Sequence, residues 1–198
     1  MFRRPEDSYQ RSTELDQLQA QYNIRRVGVY AGIGIYHQIG STGRRSRTLF
    51  TASGRLVSAL HHSSFLDSDF IKAHTLDILL SRTSSLPDNG VKMVYGSRWP
   101  SLDNGVIIIT DEEGTCYQEV AVTIRTTDYF RSQLSLVDIL EFDSLISGTS
   151  GSPIVRSDGR VIGVYQGTFD ARRNAFGVVF NSQHVVNELK RATGIMLT

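Results

Sequence analysis

Gly148-Thr149-Ser150-Gly151-Ser152-Pro153, followed by the apolar pair Ile154-Val155, is the stretch on which the reading of this chain turns. A serine stands among small residues, with glycines two positions before it and directly after it. Glycines let the backbone curl tightly, so that neighbouring N–H groups converge beside the hydroxyl. An exposed oxygen with donors waiting beside it is what an acyl-transfer nucleophile requires. A polar loop between two strands is the plainer alternative for the same six residues.

Working outward, the flanking sequence reads mostly as strands. Val27, Val29, Ala31, Ile33 and Ile35 alternate with the period of two of a half-buried strand. Further strands are expected at Thr48 to Ala52, Arg55 to Leu60, Phe70 to Ala73, Ile78 to Leu80 and Val91 to Tyr95. A second set runs from Val106 through Tyr117 to Ile124, Ser135 to Phe142, Ile154-Val155, Val161 to Tyr165 and Gly177 to Phe180. Many short strands with Gly, Asn, Asp and Ser turns predict an all-β barrel or sandwich. Residues 8–22 read as a short polar helix with Leu15, Leu18 and Tyr22 on one face. Val185, Val186, Leu189 and Ala192 predict a closing helix, capped by Asn181 or Ser182. The expected division is an N-terminal extension 1–24, a first unit 25–97, a linker 98–104, a second unit 105–182 and a C-terminal helix 183–198.

Composition narrows the function. The 198 residues are 40% hydrophobic and 21% charged, an ordinary globular balance. A net charge of +1 gives no strong field for nucleic acid or anionic membrane. Arg44, Arg45 and Arg47, beside Gly43, read as a solvated basic loop. The single cysteine, Cys116, forbids an intrachain disulfide and points to a reducing compartment. No apolar run reads as a signal peptide or a membrane span, and no metal-ligand cluster stands out.

A serine hydroxyl needs a base, and the base an orienting carboxylate. The histidines are His37, His61, His62, His74 and His184. Thr48 to His62 reads strand, turn, strand, then histidine. Ser58-Ala59-Leu60-His61 is similar to the Thr/Ser-Ala-Ala-His stretch of chymotrypsin-like serine proteases, which places His61 at the base position with His62 as its alternative. Leu76-Asp77-Ile78-Leu79-Leu80 resembles that family's Asp-Ile-Ala-Leu-Leu, and makes Asp77 the acid over Asp67 and Asp69. The serine stretch resembles the family's Gly-x-Ser-Gly-(Gly/Ser)-Pro signature. Gly159 to Tyr165 follows it as the corresponding strand does in flavivirus-type proteases. His37 is expected mid-strand, His74 in a strand, and His184 at the start of the last helix.

The resemblance implies two packed six-stranded β-barrels with a short N-terminal helix and a C-terminal helix. It implies a viral serine endopeptidase acting on a polyprotein in the host cell cytoplasm, through His61, Asp77 and Ser150. The N–H groups of Gly148 and Ser150 would form the oxyanion hole, and no metal or organic cofactor is required. The specificity pocket would involve Asp143 or Ser144 at its floor, with Tyr165, Gly167 and Gly177 at its border. Flavivirus-type relatives use a cofactor strand from another protein, so a viral protein cofactor joins the candidate partners. The interval from His61 to Asp77 is shorter than in most relatives; should it fail to cross the first barrel and return, the enzyme would work as a dyad. A non-catalytic binding module on a protease fold and a self-cleaving structural protein are the competing readings.

Overall fold

The computed structural model describes residues 2–3, 10–61, 64–94, 104–126, 135–139, 148–169, 174–180 and 183–194. After a two-residue strand β1 (Phe2–Arg3) and helix α1 (Thr13–Tyr22) comes a first sheet. Its strands are β2 (Ile24–Tyr30), β3 (Ile33–Ile39), β4 (Arg45–Ala52), β5 (Arg55–Ala59), β6 (Phe70–Ala73) and β7 (Ile78–Ser81). They lie in the order β2-β3-β4-β5-β7-β6, all pairs antiparallel. The second set is β8 (Asn104–Thr110), β9 (Tyr117–Thr126), β10 (Ser135–Ile139), β11 (Pro153–Val155), β12 (Val161–Phe169) and β13 (Asn174–Val179), before helix α2 (Gln183–Thr193). Because β8 pairs with both β9 and β11, these six strands close into a ring, and β1 adds to β9 as a seventh. Among the described residues no pairing joins β2 to β6, so the first barrel's hydrogen bonding is open there. The all-β, two-barrel plan with two helices is the one the resemblance implies.

Several local expectations are corrected. The alternating run Val27 to Ile35 is a hairpin, not one strand. Ala31 and Gly32 both take positive φ, 52° and 80°, and this pair turns β2 back onto β3. Such two-residue turns match the strand twist, which is why they reverse a chain without splaying it. Helix α1 starts at Thr13 rather than residue 8, because the Ser12 hydroxyl caps it by accepting from the Leu15 N–H. His74 lies exposed in the β6–β7 turn instead of in a strand. Arg45 and Arg47 are not solvated: both are strand residues of β4 and buried, and only Arg44 is exposed. Most of the expected linker, Tyr95, and the cap residues Asn181 and Ser182 lie outside the described residues.

The first sheet is buried on both faces, and the period of two sorts its side chains. Leu49, Leu56 and Leu79 join Leu15, Leu18 and Tyr22 of α1 in one apolar cluster. Their chain neighbours Phe50, Val57 and Leu80 face the other way, into a cluster shared with Ile108, Val164 and Val178 of the second barrel and Leu189 of α2. Ile107, Ile109, Val120, Val122, Ile154 and Ile162 fill the second barrel itself. Burying each such side chain stabilises the fold by about 1.5–3 kcal/mol. The shared cluster clamps the two sheets together and so fixes what lies across their junction.

Candidate active site

His61 lies one residue beyond the end of β5, and Asp77 directly precedes β7. Ala59 and Ile78 are partners in the antiparallel register, so the pairing brings both residues to the same end of the sheet. The Leu60 N–H donates to the Asp77 carbonyl at 3.1 Å. The short interval between them suffices, because β6 runs out and pairs straight back onto β7. Asp77 sits in the left-handed region at φ 56°. Its carboxylate accepts the His61 backbone N–H through Oδ1 and meets His61 Nδ1 through Oδ2.

Ser150 arrives from the second barrel, on the turn before β11. Gly148 and Gly151 have φ of 82° and 97°, where a side chain is strained. There is also no room for one. A Cβ at Gly148 would lie 2.6 Å from the Arg45 carbonyl oxygen, and one at Gly151 would overlap the Thr48 carbonyl oxygen. The turn is therefore pressed against β4 of the other sheet. The Thr48 N–H donates to the Ser150 carbonyl and its hydroxyl to the Gly148 carbonyl, each at 2.9 Å. From the other side, Gly151 N–H donates to Tyr165 O at 2.7 Å and Tyr165 N–H to Ser152 O at 2.8 Å.

These constraints leave Ser150 Oγ 3.0 Å from His61 Nε2 and 3.1 Å from the Gln166 carbonyl. Its single proton can go to either acceptor. With Nδ1–H held by Asp77, the neutral imidazole presents Nε2 as a lone pair toward the hydroxyl. Imidazole and carboxylate are each about one-third exposed, at 38% and 29%, so the pair borders solvent. Behind His61 lies buried Arg47. Its guanidinium donates to Ala59 O at 2.6 Å, His61 O at 2.9 Å and Gln38 Oε1 at 2.8 Å, and stacks 5.3 Å from the Phe65 ring centre. Burial holds the Arg47 pKa below its ordinary value, while nearby Asp77 works to raise it.

Asp69, Asp67 and His37, the other described candidates for acid or base with partners of their own, lie apart from this group. Asp69 accepts the Tyr22 hydroxyl at 2.5 Å, and burial together with this bond pushes the Tyr22 pKa up to about 12. Asp67 is on the surface, paired with Lys72 at 3.1 Å. His37 is buried in β3 against Thr110. Tyr165 is buried in the core of the second barrel rather than lining open space. Gly177 is needed for strand packing, since a Cβ there would lie 2.5 Å from Val164 O. Gly167 follows an irregularity in β12. His62, Asp143 and Ser144 lie outside the described residues. Arg47 and Gln166 are the neighbours that sequence reasoning missed. The spacing of Arg45, Arg47 and Leu49 was the available sign that β4 starts earlier.

Known proteins share the fold and part of the sequence. Residues 138–181, which include Ser150, match the family model Peptidase S7, flavivirus NS3 serine protease. None of the curated proteins matches the sequence. Among solved structures, a chimeric, inactive cysteine-to-alanine mutant of the murine norovirus NS6 protease is 15% identical, with a TM-score of 0.52 over 77% of this chain and 94% of that one. An inactive serine-to-alanine form of Rv3671c from M. tuberculosis is 14% identical, with a TM-score of 0.52 over 98% and 99%. The serine protease of a human pathogenic astrovirus is 14% identical, with a TM-score of 0.50 over 78% and 93%. The fold is that of the chymotrypsin-like peptidases, and the match to a serine peptidase family model falls across the serine turn. The chain's likeness is to viral chymotrypsin-like proteases and to a mycobacterial one. Among the described residues no helix is long and apolar enough to cross a membrane.

Proposed function

We propose that this chain is a serine endopeptidase that processes a viral polyprotein through an acyl-enzyme. The observation that carries the reading is the continuous series of hydrogen bonds from Asp77 through His61 to Ser150, built across two sheets. Ser150 Oγ attacks the scissile carbonyl while His61 Nε2 takes its proton. His61 then returns the proton to the leaving amine, and the same cycle with water releases the acyl group. Asp77 keeps the proton on Nδ1 and stabilises the imidazolium as it forms. The N–H groups of Gly148 and Ser150 receive the oxyanion, each donor being worth on the order of 3 kcal/mol.

One of the similar structures is inactivated by loss of a cysteine. In this chain the sole cysteine supports no such role. Cys116 sits in the turn before β9, its N–H donating to Asp111 Oδ1, and burial pushes its thiol pKa up. That leaves Ser150 as the nucleophile. Polyprotein cleavage is supported by the norovirus neighbour, whose extended C-terminus carries NS2-3 junction residues. A lone cysteine fits work in the host cytoplasm. Asp143 at the pocket floor would select a basic residue before the scissile bond, and Ser144 a polar or apolar one.

A fluorophosphonate probe with intact-mass readout tests the reading. A single adduct on the wild type, absent from Ser150→Ala, is the expected result. A folded wild type that takes no adduct, alone or with viral polyprotein partners, would favour the non-catalytic module.

A further inference from the structure

Gln166 connects the two halves of the proposed site through one residue. In the β12–β13 pairing, Tyr165 faces Gly177 and Gly167 faces Phe176, so Gln166 is the extra residue of a β-bulge. Bulges re-aim a side chain and the carbonyl beside it. Here the carbonyl accepts from Ser150 Oγ at 3.1 Å. The side chain, 2% exposed, crosses to the other sheet, where Nε2 donates to Leu76 O at 2.6 Å and Asp77 O at 3.1 Å.

Those two carbonyls belong to the peptide planes on either side of the Asp77 α-carbon. Fixing both planes fixes both backbone dihedrals of Asp77, a non-glycine residue in the left-handed region. The amide orientation follows from the contacts, since only NH2 can donate to two carbonyls. Its oxygen, Oε1, is buried and has no hydrogen-bond partner among the described residues. An orphan acceptor works against stability, and an apolar side chain of equal length would avoid it. The residue is thus poorly explained by packing and well explained by where its two donors point.

We infer that Gln166 is a positioning residue for the acyl-transfer reaction, setting the Asp77 turn and the Ser150 hydroxyl relative to each other. The inference rests on the serine-peptidase reading above. It acts through Asp77 and Ser150, and no bond to substrate is assigned to it.

The test measures fluorophosphonate labelling rates and melting temperatures of the intact wild type, Gln166→Met and Gln166→Glu. Methionine keeps length and burial but removes both donors. It also exchanges one orphan acceptor, Oε1, for another, Leu76 O. Labelling of Gln166→Met is expected to slow by about 10- to 100-fold with the melting temperature near that of the wild type. A glutamic acid donates only while protonated. The rate of Gln166→Glu relative to wild type should therefore fall as pH rises, whereas the Gln166→Met ratio stays flat. A folded Gln166→Met that labels at the wild-type rate overturns the inference. So does a Gln166→Glu ratio that does not change with pH, and this second variant decides should the first not fold. Loss of folding in both would make Gln166 a fold element and overturn it too. If the wild type itself takes no label at Ser150, it is the serine-nucleophile reading that falls, and this inference with it.

Discussion

Arg47 illustrates what a single side chain contributes here. A guanidinium has five donors in one plane, and Arg47 spends them on carbonyls at the end of β5 and on Gln38, while its flat face covers Phe65. Replacing it by methionine leaves the Ala59 and His61 carbonyls without those donors, which costs about 1–3 kcal/mol for a buried group. Arg47→Met should lower the urea midpoint accordingly. Arg47→Lys should recover only part, because an ammonium reaches fewer acceptors and does not lie flat on a ring. Equal midpoints for wild type and Arg47→Met would show that the contacts carry no weight. Short motifs resembling those of a known family already pointed to Ser150, to His61 with His62 as its alternative, and to Asp77, and the structure brings Ser150, His61 and Asp77 together. Arg47 was legible only as part of a charged run beside a glycine. Its partners sit on β3, at the end of β5 and just beyond it, and no local pattern announces them. Gln166 was hidden for a related reason: a bulge is a property of two paired strands, not of either alone.

At the scale of elements, α1 packs its apolar face onto the first barrel. Leu15 is fully buried and Leu18 and Tyr22 nearly so, against a cluster that includes Leu60 and Phe65 on either side of His61. Tyr22 is also tied to Asp69, and Arg26 of β2 bonds Asp16 and Gln19 of α1. A helix of ten residues is marginal alone in water, so its order comes from this packing. Leu15→Ala should therefore cost about 2–5 kcal/mol, the range for emptying a buried leucine site. Because the loosened cluster adjoins His61, fluorophosphonate labelling should slow as well. A thermal midpoint unchanged in Leu15→Ala would mean that α1 is dispensable. The helical spacing of Leu15, Leu18 and Tyr22 made this element readable from sequence. The β2–β3 hairpin was not, because Ala31 in a left-handed turn carries none of the Asn-Gly chemistry that marks such turns.

On the scale of the whole molecule, the site depends on two sheets holding a fixed relation, and a polar cluster at their junction contributes to it. His37 of β3 and Arg45 of β4 meet Thr110 of β8: His37 Nε2 lies 2.7 Å from the Thr110 hydroxyl, and Arg45 donates to the Thr110 carbonyl at 2.8 Å and to Asp111 O at 3.1 Å. Arg45 also backs Gly148, so this junction adjoins the serine turn. Burial, reinforced by the charges of Arg45 and Arg25 and opposed by Asp111, pushes the His37 pKa down to about 3. The unfolded chain binds a proton there near the ordinary value of about 6.5, so between the two values it holds more proton than the native state. Stability from this group is complete above about pH 6.5 and is lost as pH falls toward 3, by about 1.4 kcal/mol per pH unit. Urea unfolding of wild type and His37→Gln across that window isolates the effect, since the carboxylates are common to both. The wild-type curve should fall more steeply on the acid side, with the excess slope vanishing above pH 6.5. Parallel curves would mean that His37 is not held neutral at the junction, and that acid sensitivity of the two-sheet arrangement comes from its carboxylates alone.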